Sequence, residues 1–172
     1  MSKLNEKRNI ILLSAIAGLV LYLLLMFAPF VADKVSQSGE FISVFATGYA
    51  LAFGMNMRIK TNIGGSVESE KVPLGELYVG FLFLFLIALI IIALLLVTMK
   101  LSKDGKKVFL LNALSSVLSL VMVIMTFCSG PMSGGNIGLG WGAILGGIIL
   151  IFVFLASALL SLFSYREEGL PF

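Results

Sequence analysis

The 172-residue chain has no histidine and a single cysteine, Cys128. Without imidazole the commonest general base and metal ligand is missing, and one cysteine cannot close an internal disulfide. Charge is scarce too: 12% of residues are charged, where a soluble domain carries about 25%. That deficit leaves too little polar side chain to cover a water-facing globule. No charge falls between Arg8 and Asp33, between Glu76 and Lys100, or in the 58 residues between Lys107 and Arg166.

These gaps exclude chemistry as well as solubility. Ion-coupled transporters and proton relays keep an ionisable side chain inside a span, and none is present here. No nucleotide-binding loop, metal-ligand spacing or catalytic arrangement is legible. The sequence therefore predicts no enzyme, no catalytic residue, no cofactor and no metal. Glu76 stands at the edge of an apolar run and reads as a solvated helix start favoured by the helix dipole.

What fills the gaps is apolar. Hydrophobic residues make up 59% of the chain. A helix rising about 1.5 Å per residue needs about 20 residues to cross a hydrocarbon layer about 30 Å thick. The first two gaps each hold one span. The third is broken by the turn-rich segment Cys128 to Asn136 and holds two. Spans are expected at about 9–30, 77–99, 108–127 and 140–165, in one membrane domain over 1–172. The apolar core of the first run is longer than that of a signal peptide, and Phe30-Val31-Ala32 is a poor cleavage site, so a retained helix is expected.

Lys and Arg set the orientation. The termini and the segment 100–107 carry eight cations against four acids, a net +4; residues 33–76 carry four cations against five acids, a net −1. Basic segments stay in the cytoplasm, so both termini are expected there, in a multi-pass protein of the cell membrane. The overall charge of +3 reads as a topology signal, and nucleic acid is not an expected partner. Tyr78, Trp141 and Tyr165 fall at the expected interfaces.

Within the outer loop Phe45, Thr47, Tyr49, Leu51, Phe53, Met55, Met57 and Ile59 alternate with small or polar residues, a period of two that predicts a strand. A helix competes, because Phe41, Phe45, Tyr49 and Phe53 recur every four, but Gly48 and Gly54 oppose it. Ile63-Gly64-Gly65-Ser66 signals a hairpin turn, which would set Arg58 and Lys60 across from Glu68 and Glu70.

Two patterns point to helix contacts. Gly134, Gly138, Gly142 and Gly146 recur every fourth residue, a glycine-zipper spacing that lets another helix approach, in the same chain or in another subunit. Asn112, Ser115, Ser116 and Ser119 share one face of the third span and are expected to hydrogen-bond across helices, with a polar pore lining as the alternative. Phe81, Phe83 and Phe85 read as lipid-facing bulk. Gly138, Gly142, Gly146, Asn112, Ser115 and Ser119 are the candidate packing or oligomer residues.

In its order of parts (span, large outer loop with strands, span, short inner loop, span, short outer loop, span) the chain resembles the claudin-like tetraspan proteins. The resemblance is one of topology and implies an all-α four-helix transmembrane bundle with a small outer β-hairpin or sheet. The Trp-Gly-Leu-Trp and cysteine pair that mark the first outer loop of that family are missing from residues 33–76, so no residue roles carry over. The function read from all this is non-enzymatic: a structural, accessory or interaction role through the outer loop and helix faces, with the lipid bilayer, a membrane-protein partner or a second copy of the chain as partner. The alternative is a small channel or transporter subunit that oligomerises through the glycine-rich fourth span.

Overall fold

The computed structural model describes residues 2–37, 40–73, 78–101, 105–132 and 138–168. Glu76, Ser102, Lys103, Asp104, Gly134 and Gly135 lie outside the described residues. The chain runs α1 (Ser2–Leu25), β1 (Pro29–Gln37), β2 (Glu40–Thr47), α2 (Gly48–Phe53), β3 (Asn56–Ile63), β4 (Ser66–Pro73), α3 (Val79–Lys100), α4 (Gly105–Met132), β5 (Gly138–Leu139) and α5 (Trp141–Glu168).

Four of these helices are long and apolar enough to cross a membrane: Lys7–Leu25, Val79–Lys100, Gly105–Cys128 and Trp141–Tyr165. Their boundaries differ from expectation at two places. The first helix stops at Leu25, short of residue 30, because Pro29 opens β1 and a proline drives the residue before it toward extended backbone. The third long helix continues to Met132, through Pro131. Proline's fixed φ suits helical backbone and its cost is an i−4 hydrogen bond, a small loss in a last turn.

The long helices are apolar on every side, yet each buries one stripe. In α1 it is Leu12, Ala15, Leu19 and Tyr22, with Met26 just past its end; in α3 Phe81, Leu84, Ala88, Ile91, Leu95 and Thr98; in α4 Val108, Asn112, Ser115, Ser119, Met122 and Thr126; in α5 Leu150, Val153, Ser157, Leu160 and Ser164. Spacings of three and four put each set on one face of its helix.

The chain forms two compact units. The first comprises Met1–Tyr22, Leu86–Val123 and Ile148–Phe172. In it α1 and α5 approach closely: a Cβ on Gly18 would lie 3.0 Å from Val153 Cγ2 and 3.5 Å from Ile149 Cγ2. Phe109 of α4 meets Tyr165 of α5 with ring centroids 5.7 Å apart.

The second unit, Leu23–Phe85 and Ile124–Gly147, carries an antiparallel sheet in the order β4-β3-β2-β1-β5. The sheet is larger than the element expected from sequence. Its last two strands are joined through Val31 opposite Leu139 and Ala32 opposite Gly138. The expected long strand from Phe45 to Lys60 is interrupted by α2, so the competing helical reading holds for Tyr49 to Phe53. The two glycines counted against a helix bracket it. Thr47 caps the start, its Oγ1 accepting from the Ala50 N–H at 3.1 Å, and Gly48 follows as the first helical residue. Gly54 closes the end at φ 65° in the left-handed region, which glycine enters without strain.

Candidate functional site

The β3–β4 hairpin turns at Gly64 and Gly65, with φ 62° and 83°, as a two-residue turn with positive φ at both centres requires. Its register sorts the charges differently from the expected pairing. Arg58 stands opposite Lys71 and Lys60 opposite Ser69, while Glu70 faces Ile59 and Glu68 faces Thr61. Residues directly across from one another share a face and neighbours along a strand do not. Arg58, Lys60 and Lys71 therefore occupy one face, with Phe45 and Ser43 of β2 beside them; Glu68 and Glu70 occupy the other. The expected ion pairs do not form, because the turn's register places the two signs on opposite faces.

The cationic face borders a cleft of about 600 Å³ lined by Phe27, Pro29, Phe45, Thr47, Met55, Asn56, Met57, Arg58, Lys60 and Lys71. Among the described residues, three cations and an apolar floor meet there without a carboxylate. Among the described residues none of the three cations has an ion-pair partner.

The floor is anchored by an aromatic cluster. The Tyr49 ring lies 4.2 Å from that of Phe27, 6.0 Å from that of Phe53 and 5.8 Å from that of Phe85, and the last two rings are 5.5 Å apart. Phe30 and Phe81 meet edge-on at 6.0 Å. Each such pair contributes about 0.5–1.5 kcal/mol beyond area burial. Phe81 and Phe85 are thus packed within the protein, and of the three only Phe83 is exposed, at 53%. Backbone bonds lock the cluster: Tyr49 N–H donates to Met26 O and Tyr78 N–H to Leu51 O, both at 3.1 Å. Burial raises the Tyr49 phenol above its ordinary pKa.

The predicted packing residues divide between the units. In the first, Asn112, Ser115 and Ser119 are fully buried. The serines do not bond across helices: Ser115 Oγ donates to Leu111 O and Ser119 Oγ to Ser115 O, each at 2.8 Å. Returning a hydroxyl to the i−4 carbonyl satisfies it without a neighbour. Neither amide atom of Asn112 has a hydrogen-bond partner, nor has Ser157 Oγ, and Ser157 is fully buried as well.

In the second unit Gly138 lies in β5 rather than on a helix, and a Cβ there would lie 3.1 Å from Ala32 O. Gly142 and Gly146 are buried in α5, and a Cβ on Gly142 would lie 2.9 Å from Ala28 Cβ and from Pro29 O. Two glycines that sequence reasoning saw beside the every-fourth set but left out of the packing residues make closer contacts, Gly140 against Pro29 and Gly147 against the Phe127 ring.

Four long apolar helices with a small antiparallel sheet define the class of a multi-pass membrane protein. No family model matches the chain, nor does any curated protein or any solved structure.

Proposed function

We propose that the chain is a non-enzymatic protein of the cell membrane, a tetraspan bundle with cytoplasmic termini that displays its sheet on the outer surface for interaction. The observation that supports this reading is the two-sided sheet. One face carries Arg58, Lys60 and Lys71; the other carries Glu68 and Glu70 with the exposed Ile42 and Ile63, 47% and 58% accessible. A displayed sheet with unspent aliphatic and charged surface suits contact with a partner protein. The Lys and Arg distribution supports the orientation.

The test has two parts. In a Cys128→Ala background, a cysteine at Ser69 should react with an impermeant thiol reagent in intact cells and one at Lys106 should not; the reverse would overturn the orientation. A photo-crosslinking side chain at Ile42 or Ile63 should capture a discrete membrane-protein partner, whereas one at exposed Leu110 of α4 should not. Equal capture from both surfaces would overturn the interaction role.

A second reading, a channel subunit, draws support from buried Asn112 with its amide unpaired in a stripe with Ser115 and Ser119. Reproducible unitary currents from purified protein in planar bilayers, changed by Asn112→Leu, would replace the first reading with this one.

A further inference from the structure

The cleft of the second unit has no role in that reading as it stands. Its chemistry is specific. Arg58 and Lys71 are directly opposite on neighbouring strands, with Phe45 on the far side of Arg58. Like charges set across a strand pair repel, and among the described residues no carboxylate relieves them. Lys60 adds a third cation one step along the same face. Such a cluster is favourable once an anion lies among its members. A guanidinium flanked by ammonium groups suits the oxygens of a phosphate.

The other wall sets the nature of that anion. Phe27 and Pro29 follow directly on the first apolar helix, which ends at Leu25, and Phe27 is 66% exposed although its ring meets Tyr49. Phe45, Met55 and Met57 continue the apolar lining. Where a membrane-crossing helix ends, hydrocarbon gives way to headgroups. An aromatic side chain there with three cations beside it matches the phosphate and upper acyl region of one lipid molecule.

We propose that this cleft binds a phosphate-bearing anionic lipid, its headgroup among Arg58, Lys60 and Lys71 and its apolar part against Phe27, Pro29 and Phe45. The proposal rests on the reading that the four long helices cross the bilayer. The free protein's cation repulsion makes the lipid a stabilising component of the sheet, fixing β3 and β4 against the end of α1.

The full chain, reconstituted in bilayer discs of mixed phosphatidylglycerol and phosphatidylcholine, tests this by native mass spectrometry of the lipid that stays bound on release. A basic residue at a membrane surface is worth roughly fivefold in affinity for anionic lipid, so three give a preference on the order of a hundredfold. Arg58→Gln/Lys60→Gln/Lys71→Gln should bring the preference near parity, and Lys60→Gln alone, flanked by Ser43 and Ser69, should lower it about fivefold. Lys100→Gln/Lys106→Gln, with two charges removed at the end of α3 and the start of α4, should keep it. Undiminished preference in both cleft variants, or none in the unsubstituted chain, overturns the proposal. Displacement of bound lipid by millimolar inorganic phosphate would make the ligand a soluble anion and overturn the lipid assignment. Alkaline extraction of the discs separates this from the underlying reading: release of the chain overturns the membrane reading itself, whereas an inserted chain without lipid preference overturns only the site.

Discussion

Gly140 donates its backbone N–H to Phe30 O at 2.8 Å, and a Cβ built on it would lie 2.6 Å from the Pro29 carbonyl carbon. The start of α5 is thereby pressed onto the start of β1 by backbone alone. Alanine at this position must push the two apart, breaking the bond and disturbing the β1–β5 pairing beside it. Gly140→Ala should lower stability by about 1–3 kcal/mol, the usual cost of overpacking. Gly80, in the first turn of α3 with open space around its Cα, is the control: Gly80→Ala should be neutral or stabilising, since alanine is the better helix former. Thermal unfolding in detergent distinguishes them, and equal midpoints for the two variants would contradict the close approach.

The short helix α2 depends on its caps, having six residues and no length to spare. Thr47→Ala removes the acceptor for Ala50 N–H and should cost about 1 kcal/mol. Thr47→Ser keeps the oxygen and should lose much less. The loss should appear as faster hydrogen exchange at Ala50 and at Tyr49, whose N–H reaches Met26 O. Unchanged exchange at Ala50 in Thr47→Ala would show that the cap contributes nothing.

Tyr49 supplies a pH signature. Burial raises its pKa above 10.0, so the folded state holds the phenolic proton more tightly than the unfolded state. Its contribution to stability is fully present below pH 10 and is lost as pH rises through the folded value. Lysines also titrate in this range, so the informative quantity is the difference between the unsubstituted chain and Tyr49→Phe. The variant should lose less stability between pH 9 and 11, followed by phenolate absorbance alongside unfolding. Parallel curves would mean that Tyr49 is as hydrated in the folded state as out of it.

The four long helices were legible because the charge gaps are long and the residues within them apolar. The helix face that packs was not. When every side of a helix is hydrophobic, hydrophobicity carries no direction. Along α3 and α4 the buried stripe is marked instead by its smaller or polar members, Ala88 and Thr98, and Asn112, Ser115 and Ser119. Only the last three drew notice from sequence. The outer loop failed in part for a related reason. Its alternation from Phe45 to Ile59 is real, but Thr47 and Gly54 are helix caps set within it, and local capping overrode the period. The charges of the hairpin were misplaced by register: a two-residue turn at Gly64-Gly65 sets Lys60 across from Ser69, a parity that composition does not reveal. The cleft was invisible for the same reason, since Lys71 lies on the other strand of the hairpin and meets Arg58 and Lys60 only through that register.

The remaining prediction separates packing within the chain from assembly between chains. Gly142 lies against Ala28 and Pro29, and Gly147 against the Phe127 ring, where a Cβ would stand 2.5 Å from Cζ. Both contacts are internal to the second unit. Lipid supplies no hydrophobic drive for helix association, so close packing must. If these glycines serve the chain's own packing, Gly142→Leu and Gly147→Ala should lower the unfolding midpoint in detergent. The cost is about 1–3 kcal/mol at Gly147, where the ring has to move. Gly142→Leu should cost more, because its neighbours include backbone atoms that cannot rotate away. Ile144, 45% exposed on another side of α5, can become leucine with its volume conserved and should change little. Size-exclusion chromatography reads the other possibility. Should the glycine variants elute as smaller particles while keeping their midpoints, the small-residue face of α5 joins subunits rather than helices of one chain. Loss of stability at constant size is the outcome that the contacts to Ala28, Pro29 and Phe127 require.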